Sequence, residues 1–251
     1  MNEGIHVAIA AEKLGELFGL PVTNTLLMSW IVVALLAGFA LIFRSGIRMI
    51  PGRFQTLLEW MFGGIYDYIA DTLESRDMAR RFFPLLVTIF LFIFTANILE
   101  FTPGIGSIGF FHPSTSSGQV EFTPLLRSMN TDLNMTFALA LISFFVIEIT
   151  GMLAIGFYKY SSKFINFSSA MGFAVGIIEL FSEIARLISF SFRLFGNIFA
   201  GEVLILVIAY FVPYFLPVPF MAFEVFVGFI QAAIFSLLTL FFIKLAITEA
   251  H

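Results

Sequence analysis

The chain has 251 residues, of which 59% are hydrophobic and only 12% charged, with 35 phenylalanines and no cysteine. That composition lies far outside the range of soluble globular domains, and the lack of cysteine excludes disulfide frameworks, cysteine–zinc clusters and thiol nucleophiles. The 13 lysines and arginines are scattered and the net charge is −4, so there is no basic face for nucleic acid; the class that remains is an all-α membrane protein in the lipid bilayer.

Residues 1–25 carry Glu3, Glu12 and Glu16 against Lys13, the wrong charge sign for a signal peptide, so an external N-terminal segment is expected to stay on the chain. The first span covers 26–43, with Ser29 its one polar side chain. At 18 residues it is just long enough for the hydrocarbon core. Arg44, Arg48 and Arg53 follow at once, which puts this end in the cytoplasm and the N-terminus outside. Over 54–81, Leu57, Leu58, Met61, Ile65, Tyr68 and Ile69 recur at helical spacing among Glu59, Asp67, Asp71, Glu74 and Asp77. That pattern predicts an amphipathic helix on the cytoplasmic surface. A second span over 82–101 leads to an external loop, 102–132, and a third over 133–158 returns to Lys159 and Lys163. His6 and His112 fall in polar tail and loop contexts and read as surface residues, and no metal or cofactor is expected.

Residues 164–212 contain no turn signal and would run roughly 70 Å as one helix, against a bilayer core of about 30 Å. The alternatives are one strongly tilted helix or a fold-back near Gly196 and Asn197. The fold-back would put Lys244 and the C-terminus outside, against the lysine and arginine bias. One tilted helix is therefore predicted, followed by a proline-rich turn and a second long helix over 220–248. No linker or internal repeat divides residues 1–251, which read as a single membrane domain.

Arg193 lies deep in this apolar stretch and cannot shed its charge. Placing it at the bilayer centre costs about 2.5–3.5 kcal/mol on the insertion scale. Its helical neighbours, Ser189, Phe190, Gly196 and Asn197, include no acid, which points to a counter-charge from outside its own helix. With Arg193 at zero on a wheel advancing about 100° per residue, Ser189, Ser182, Arg186, Glu179, Asn197 and Glu183 fall between roughly −40° and +80°. Glu202 falls near the opposite side, within about three turns of Arg193. Glu183 and Arg186 are three apart and can pair, so Arg186 reads equally as a structural partner or as part of the stripe. On the final helix, Glu224, Gly228 and Gln231 share a face at i, i+4 and i+7. The result is two titratable groups either side of a fixed cation: Glu179, Ser182 and Glu183 nearer the cytoplasm, and Asn197, Glu202 and Glu224 nearer the outside. Glu148 is a further intramembrane acid that falls into neither. Asn97 and Glu100 read equally as the lining of an entrance or as an interfacial cap.

The run Ser191-Phe192-Arg193-Leu194-Phe195-Gly196-Asn197-Ile198-Phe199-Ala200-Gly201-Glu202 resembles the signature of subunit a of the F-type ATP synthase. Ile230-Gln231-Ala232-Ala233-Ile234-Phe235 resembles that family's second motif, and Asp132-Leu133-Asn134-Met135-Thr136 its usual start of the fourth segment. The resemblance implies a long tilted helix pair in a bacterial cell membrane and a stator facing a rotating c-ring, with peripheral-stalk b subunits as further partners. It implies that Arg193 is the essential stator arginine. Glu179 and Ser182 match the cytoplasmic half-channel, and Asn197, Glu202, Glu224 and Gln231 match the outer half-channel and the crossing. Some relatives carry histidine where this chain has Glu202 or Glu224; here both are carboxylates. The rival reading is an independent proton-coupled transporter, a class that usually shows two related halves and broken helices, and this chain has neither.

Overall fold

The computed structural model describes residues 11–17, 19–100, 109–113, 120–164 and 170–248. The expectations for residues 1–10, 101–108, 114–119 and 165–169 lie outside the described residues. Five helices are long and apolar enough to cross a membrane. They are α1 (Asn24–Gly46), α3 (Arg76–Glu100), α4 (Leu133–Ile155), α6 (Ala170–Phe211) and α7 (Pro217–Thr248), with α2 (Arg53–Leu73) and the short α5 (Phe157–Phe164) between them. The protein is an all-α membrane protein.

Several boundaries depart from the sequence reading. The segment before the first span holds an antiparallel hairpin, β1 (Lys13–Leu17) and β2 (Leu20–Thr23). The segment between the second and third spans holds another, β3 (Gly109–Pro113) and β4 (Val120–Pro124), then a 3₁₀ turn at Met129–Thr131. The amphipathic helix expected over 54–81 stops at Leu73. There Glu74 takes a left-handed conformation (φ 53°) and its N–H caps the carbonyls of Ala70 and Asp71. Residues 76–81 belong to α3 instead, and Pro84 lies within that helix. The span expected over 133–158 ends at Ile155, because Gly156 has φ +91°, a region that glycine enters without steric cost. α5 follows, so the stretch expected as one helix over 164–212 begins at Ala170. Pro217 and Pro219 sit in the first turn of α7, where the missing N–H groups need no partner.

The chain forms two compact units. The first comprises Met1–Gly38, Leu91–Thr136 and Phe192–Ala233. Its buried polar side chains do the positioning. Asp132 caps α4 by accepting the N–H of Asn134 at 2.9 Å, and its other oxygen accepts the hydroxyl of Thr25 in α1, also at 2.9 Å. Asn130 donates to Asn97 Oδ1 at 2.6 Å, and Asn97 donates to the Gly228 carbonyl at 3.0 Å, which ties α3 to α7. Gly228 has to be small here, since a Cβ would lie 2.8 Å from that of Asn97.

The second unit comprises Phe39–Phe90, Phe137–Ser191 and Ile234–His251. Its apolar core joins Ile69 and Leu73 of α2, Phe82 and Leu86 of α3, Ile147 of α4 and Leu240 and Ile243 of α7. The hydroxyl of Ser236 donates to the Leu86 carbonyl at 2.9 Å, and Lys244 pairs with Glu74 at 2.9 Å.

Asp132→Ala removes both a helix cap, worth about 1 kcal/mol, and a hydrogen bond to a charged group, worth about 1.5–3 kcal/mol. The thermal midpoint of the detergent-solubilised protein should fall by several degrees, whereas Asp132→Asn, which keeps the oxygen that caps α4 but puts an NH2 donor opposite the Thr25 hydroxyl, should lose less. An unchanged midpoint for Asp132→Ala would show that these contacts do not hold the first unit together.

Candidate ion-translocation site

α6 is continuous across Gly196 and Asn197, so the chain does not fold back there. Its 42 residues give a length of about 63 Å, roughly twice the hydrocarbon core. Ser182, Ser189, Arg193, Asn197 and Ala200 are all exposed, and at 3.6 residues per turn they lie along one face. Glu183, Phe190, Leu194, Ile198 and Gly201 are buried. Arg193 therefore stands on an open strip of small and polar side chains.

Within the first unit, the lower part of α7 packs its polar face inward. Glu224, Gly228 and Gln231 are all buried, as their i, i+4, i+7 spacing predicts. Gln231 donates its side-chain N–H to the backbone carbonyl of Arg193 at 3.4 Å, which places the second motif directly against the first. The Glu224 carboxyl lies against Gly201, where a Cβ would collide with it. The glycine preceding Glu202 thus gives the second carboxylate its place beside α6. Glu224 Oε1 is buried without a hydrogen-bond partner among the described residues, a condition that buried polar atoms rarely keep unless water reaches them. Glu202, on the side of α6 away from Arg193, accepts from Arg127 at 3.2 Å. Asn97 is buried in this unit, tied to Asn130 and Gly228 as described above.

Within the second unit, Glu183 is 3% exposed and pairs with Arg186 at 2.6 Å, the i, i+3 pairing that the spacing allowed. Lys163 of α5 reaches Glu179 at 2.6 Å and Glu183 at 3.7 Å. Arg186 also lies over the ring of Phe242, 4.1 Å from its centroid, a cation–π contact that shields the guanidinium on its second face. Two carboxylates and two cations are thereby gathered on neighbouring turns of α5 and α6, with Ser182 exposed beside them.

Arg127 and Lys163 are partners of the candidate site residues that the sequence does not reveal. Arg127 is 75 residues from Glu202, and nothing in local spacing pairs them. A signal was nevertheless present: a lone arginine seven residues before Asn134, in a segment with no other cation between Arg81 and Lys159. In the sequence alone Lys163 marks only the sidedness of the third span. The turn at Gly156 that brings α5 back to α6 is what gives it acidic partners.

The profile of the family described as "ATP synthase A chain" matches residues 26–244. ATP synthase subunit a of Geotalea daltonii is 30% identical over 223 residues, covering 89% of this chain and 87% of that protein. ATP synthase subunit a of Campylobacter curvus is 32% identical over 222 residues, 88% of each. The protein named "ATP synthase subunit a 2" of Syntrophotalea carbinolica is 32% identical over 248 residues, 98% of this chain and 94% of its own. With the Arg193 and Gln231 motifs packed together and the match running nearly end to end, the chain belongs to the ATP synthase A chain family.

Proposed function

We propose that this chain is the stationary ion-conducting subunit of the ATP synthase membrane sector, with Arg193 facing a carboxylate on a rotating c-ring and with peripheral-stalk b subunits holding it in place. The observation that carries this reading is the arrangement along α6: one exposed arginine on an open strip, with a polar group on the turns before it and another on the turns after it. Glu224 and Glu202, with Asn197 and Gln231, form the outer half-channel and the crossing, and Glu179, Ser182 and Glu183 form the cytoplasmic one. A proton arriving from outside neutralises a ring carboxylate. The neutral acid can then travel through lipid, which a charged one could do only at a cost of several kcal/mol. After nearly a full turn it meets the inner group and ionises, and Arg193 stabilises the resulting carboxylate until the next proton arrives. Because a guanidinium does not titrate, protons cannot hop across it from one half to the other. Each charge that crosses gains about 2.3 kcal/mol per 100 mV. The chain itself performs no covalent chemistry.

The sidedness follows from charge. Every lysine and arginine of the chain except Lys13, Arg127 and Arg193 belongs to the second unit. The positive-inside rule puts that unit's helix ends and the C-terminus in the bacterial cytoplasm and the N-terminus outside.

Arg193→Ala should assemble and yet abolish both ATP synthesis and ATP-driven proton pumping in membrane vesicles. Arg193→Lys should be severely impaired, since an ammonium lacks the planar delocalised charge and can deprotonate in an apolar site. Gradient-driven synthesis retained in Arg193→Ala would overturn the reading.

A second expectation concerns the outer group. Gly201→Ala inserts a Cβ where the Glu224 carboxyl lies, so it should slow proton uptake in the synthesis direction much as Glu224→Gln does, with assembly intact. Wild-type pumping by both variants would show that Glu224 is outside the pathway.

A further inference from the structure

Glu148 is the one charged side chain of α4, and the reading above gives it no task. It is 8% exposed. A buried carboxylate is costly unless it is paired, and the neighbouring acids are paired: Glu183 with Arg186 and Lys163, Glu179 with Lys163. Glu148 has no ion-pair partner among the described residues. Its Oε2 accepts the hydroxyl of Tyr160 at 3.0 Å, and its Oε1 is buried with no hydrogen-bond partner. Its donor is a neutral hydroxyl rather than a cation.

The surroundings are built rather than incidental. Tyr160 is 4% exposed, and a Cβ at Gly151 would run into its ring, so a glycine one turn beyond Glu148 is what admits the tyrosine. Glu183 of α6 lies within electrostatic reach of Glu148. Arg186, one turn further along α6, lines a small cavity of about 10 Å³ together with Ser143 and Ile147 of α4 and Phe190. That is at the lower limit of the space that admits one water molecule. The hydroxyl of Ser143 is buried and also has no hydrogen-bond partner among the described residues. The charged and titratable groups around Glu148 are Tyr160 and Glu183, then the partners of these two: Lys163 of α5, which lies near the Tyr160 ring and pairs with Glu179 and Glu183, and Arg186 of α6, which pairs with Glu183, while Lys244 of α7 is engaged with Glu74.

We propose that Glu148 is a proton-carrying residue of the inner half-channel, holding the released proton between Tyr160 and Glu183 before it passes to water at the Lys163–Glu179 mouth. This rests on the function proposed above. In the step itself, an O–H bond of a ring carboxylic acid breaks and an O–H bond on Glu148 forms, directly or through a water. The Glu148 O–H then breaks in turn as hydronium forms on the cytoplasmic side. One proton moves and no electrons are transferred. Lys163 sits at the exit as a positioning residue that orients Glu179.

The test is Glu148→Gln in the whole complex, in inverted membrane vesicles, with ATP-driven acidification and gradient-driven synthesis followed across pH 6 to 9. Glutamine keeps the size and an acceptor for Tyr160 but cannot exchange a proton. Assembled complexes should pump and synthesise severalfold more slowly, with a pH profile displaced from wild type, and Glu148→Asp should recover part of the rate. Rates and a pH profile that superpose on wild type would overturn the proposal and leave Glu148 as an anchor for α5. If Glu148→Gln does not assemble, Glu148→Asp decides: withdrawing the carboxylate by one methylene should slow transfer and displace the pH profile, and a wild-type profile would refute the role. Arg193→Ala in the same vesicles separates the two levels. Loss of coupling there beside wild-type behaviour of the Glu148 variants refutes the role of Glu148 alone, while retained coupling refutes the underlying reading.

Discussion

A guanidinium in a membrane cannot be neutralised by giving up a proton, so the protein around it must either screen it or use it. In α6 the flanking turns carry Ser189, Asn197 and Ala200 on the same exposed face, side chains too short to cover Arg193. The acids of α6 are directed elsewhere: Glu183 is buried against Arg186 and Lys163, and Glu202 is held by Arg127. On the function proposed above, this exposed face meets the ring carboxylate, at an intermediate point on a helix about twice the thickness of the bilayer core.

Close approach achieves the rest. Gly201 lets the Glu224 carboxyl lie against α6, Gly228 lets Asn97 reach the α7 backbone, and Gly151 lets the Tyr160 ring reach Glu148. At all three positions a single methyl group would displace a polar side chain. On the function proposed above, these glycines bear on the ion pathway as directly as the charges do, because a pathway of buried polar groups works only if their partners are within hydrogen-bond reach. Gln231 adds a register pin: its bond to the Arg193 carbonyl fixes how far α7 has slid along α6.

Much of this was legible in the sequence, wherever the physics is local. The one-sided stripe on α6 follows from 3.6 residues per turn, the inward face of α7 from the spacing of Glu224, Gly228 and Gln231, and the Glu183–Arg186 pair from an i, i+3 step. The parts that were not legible depend on backbone events or on distance. Glu74 turns left-handed without the glycine that would announce it, so α2 was read past its end. Gly156 sits in a run of apolar and aromatic residues that mask it as a break, and with it went the return of α5 to α6. Arg127 and Glu202 meet only after the second hairpin and the 3₁₀ turn have brought the chain back. No window of sequence holds both residues.

The central claim is that two separate aqueous paths reach the same face of one helix from opposite sides. Since the chain has no cysteine, a single introduced thiol reports on its own position alone. The most direct measurement is labelling of Ser182→Cys and Asn197→Cys with a membrane-impermeant thiol reagent, in right-side-out and inverted vesicles, with Leu194→Cys on the buried face as reference. Thiolate forms readily only where water reaches. The account predicts that position 182 reacts only from the cytoplasmic side, position 197 only from the outside, and position 194 from neither. Labelling of 182 and 197 from the same side would mean a single continuous pore and would contradict the account.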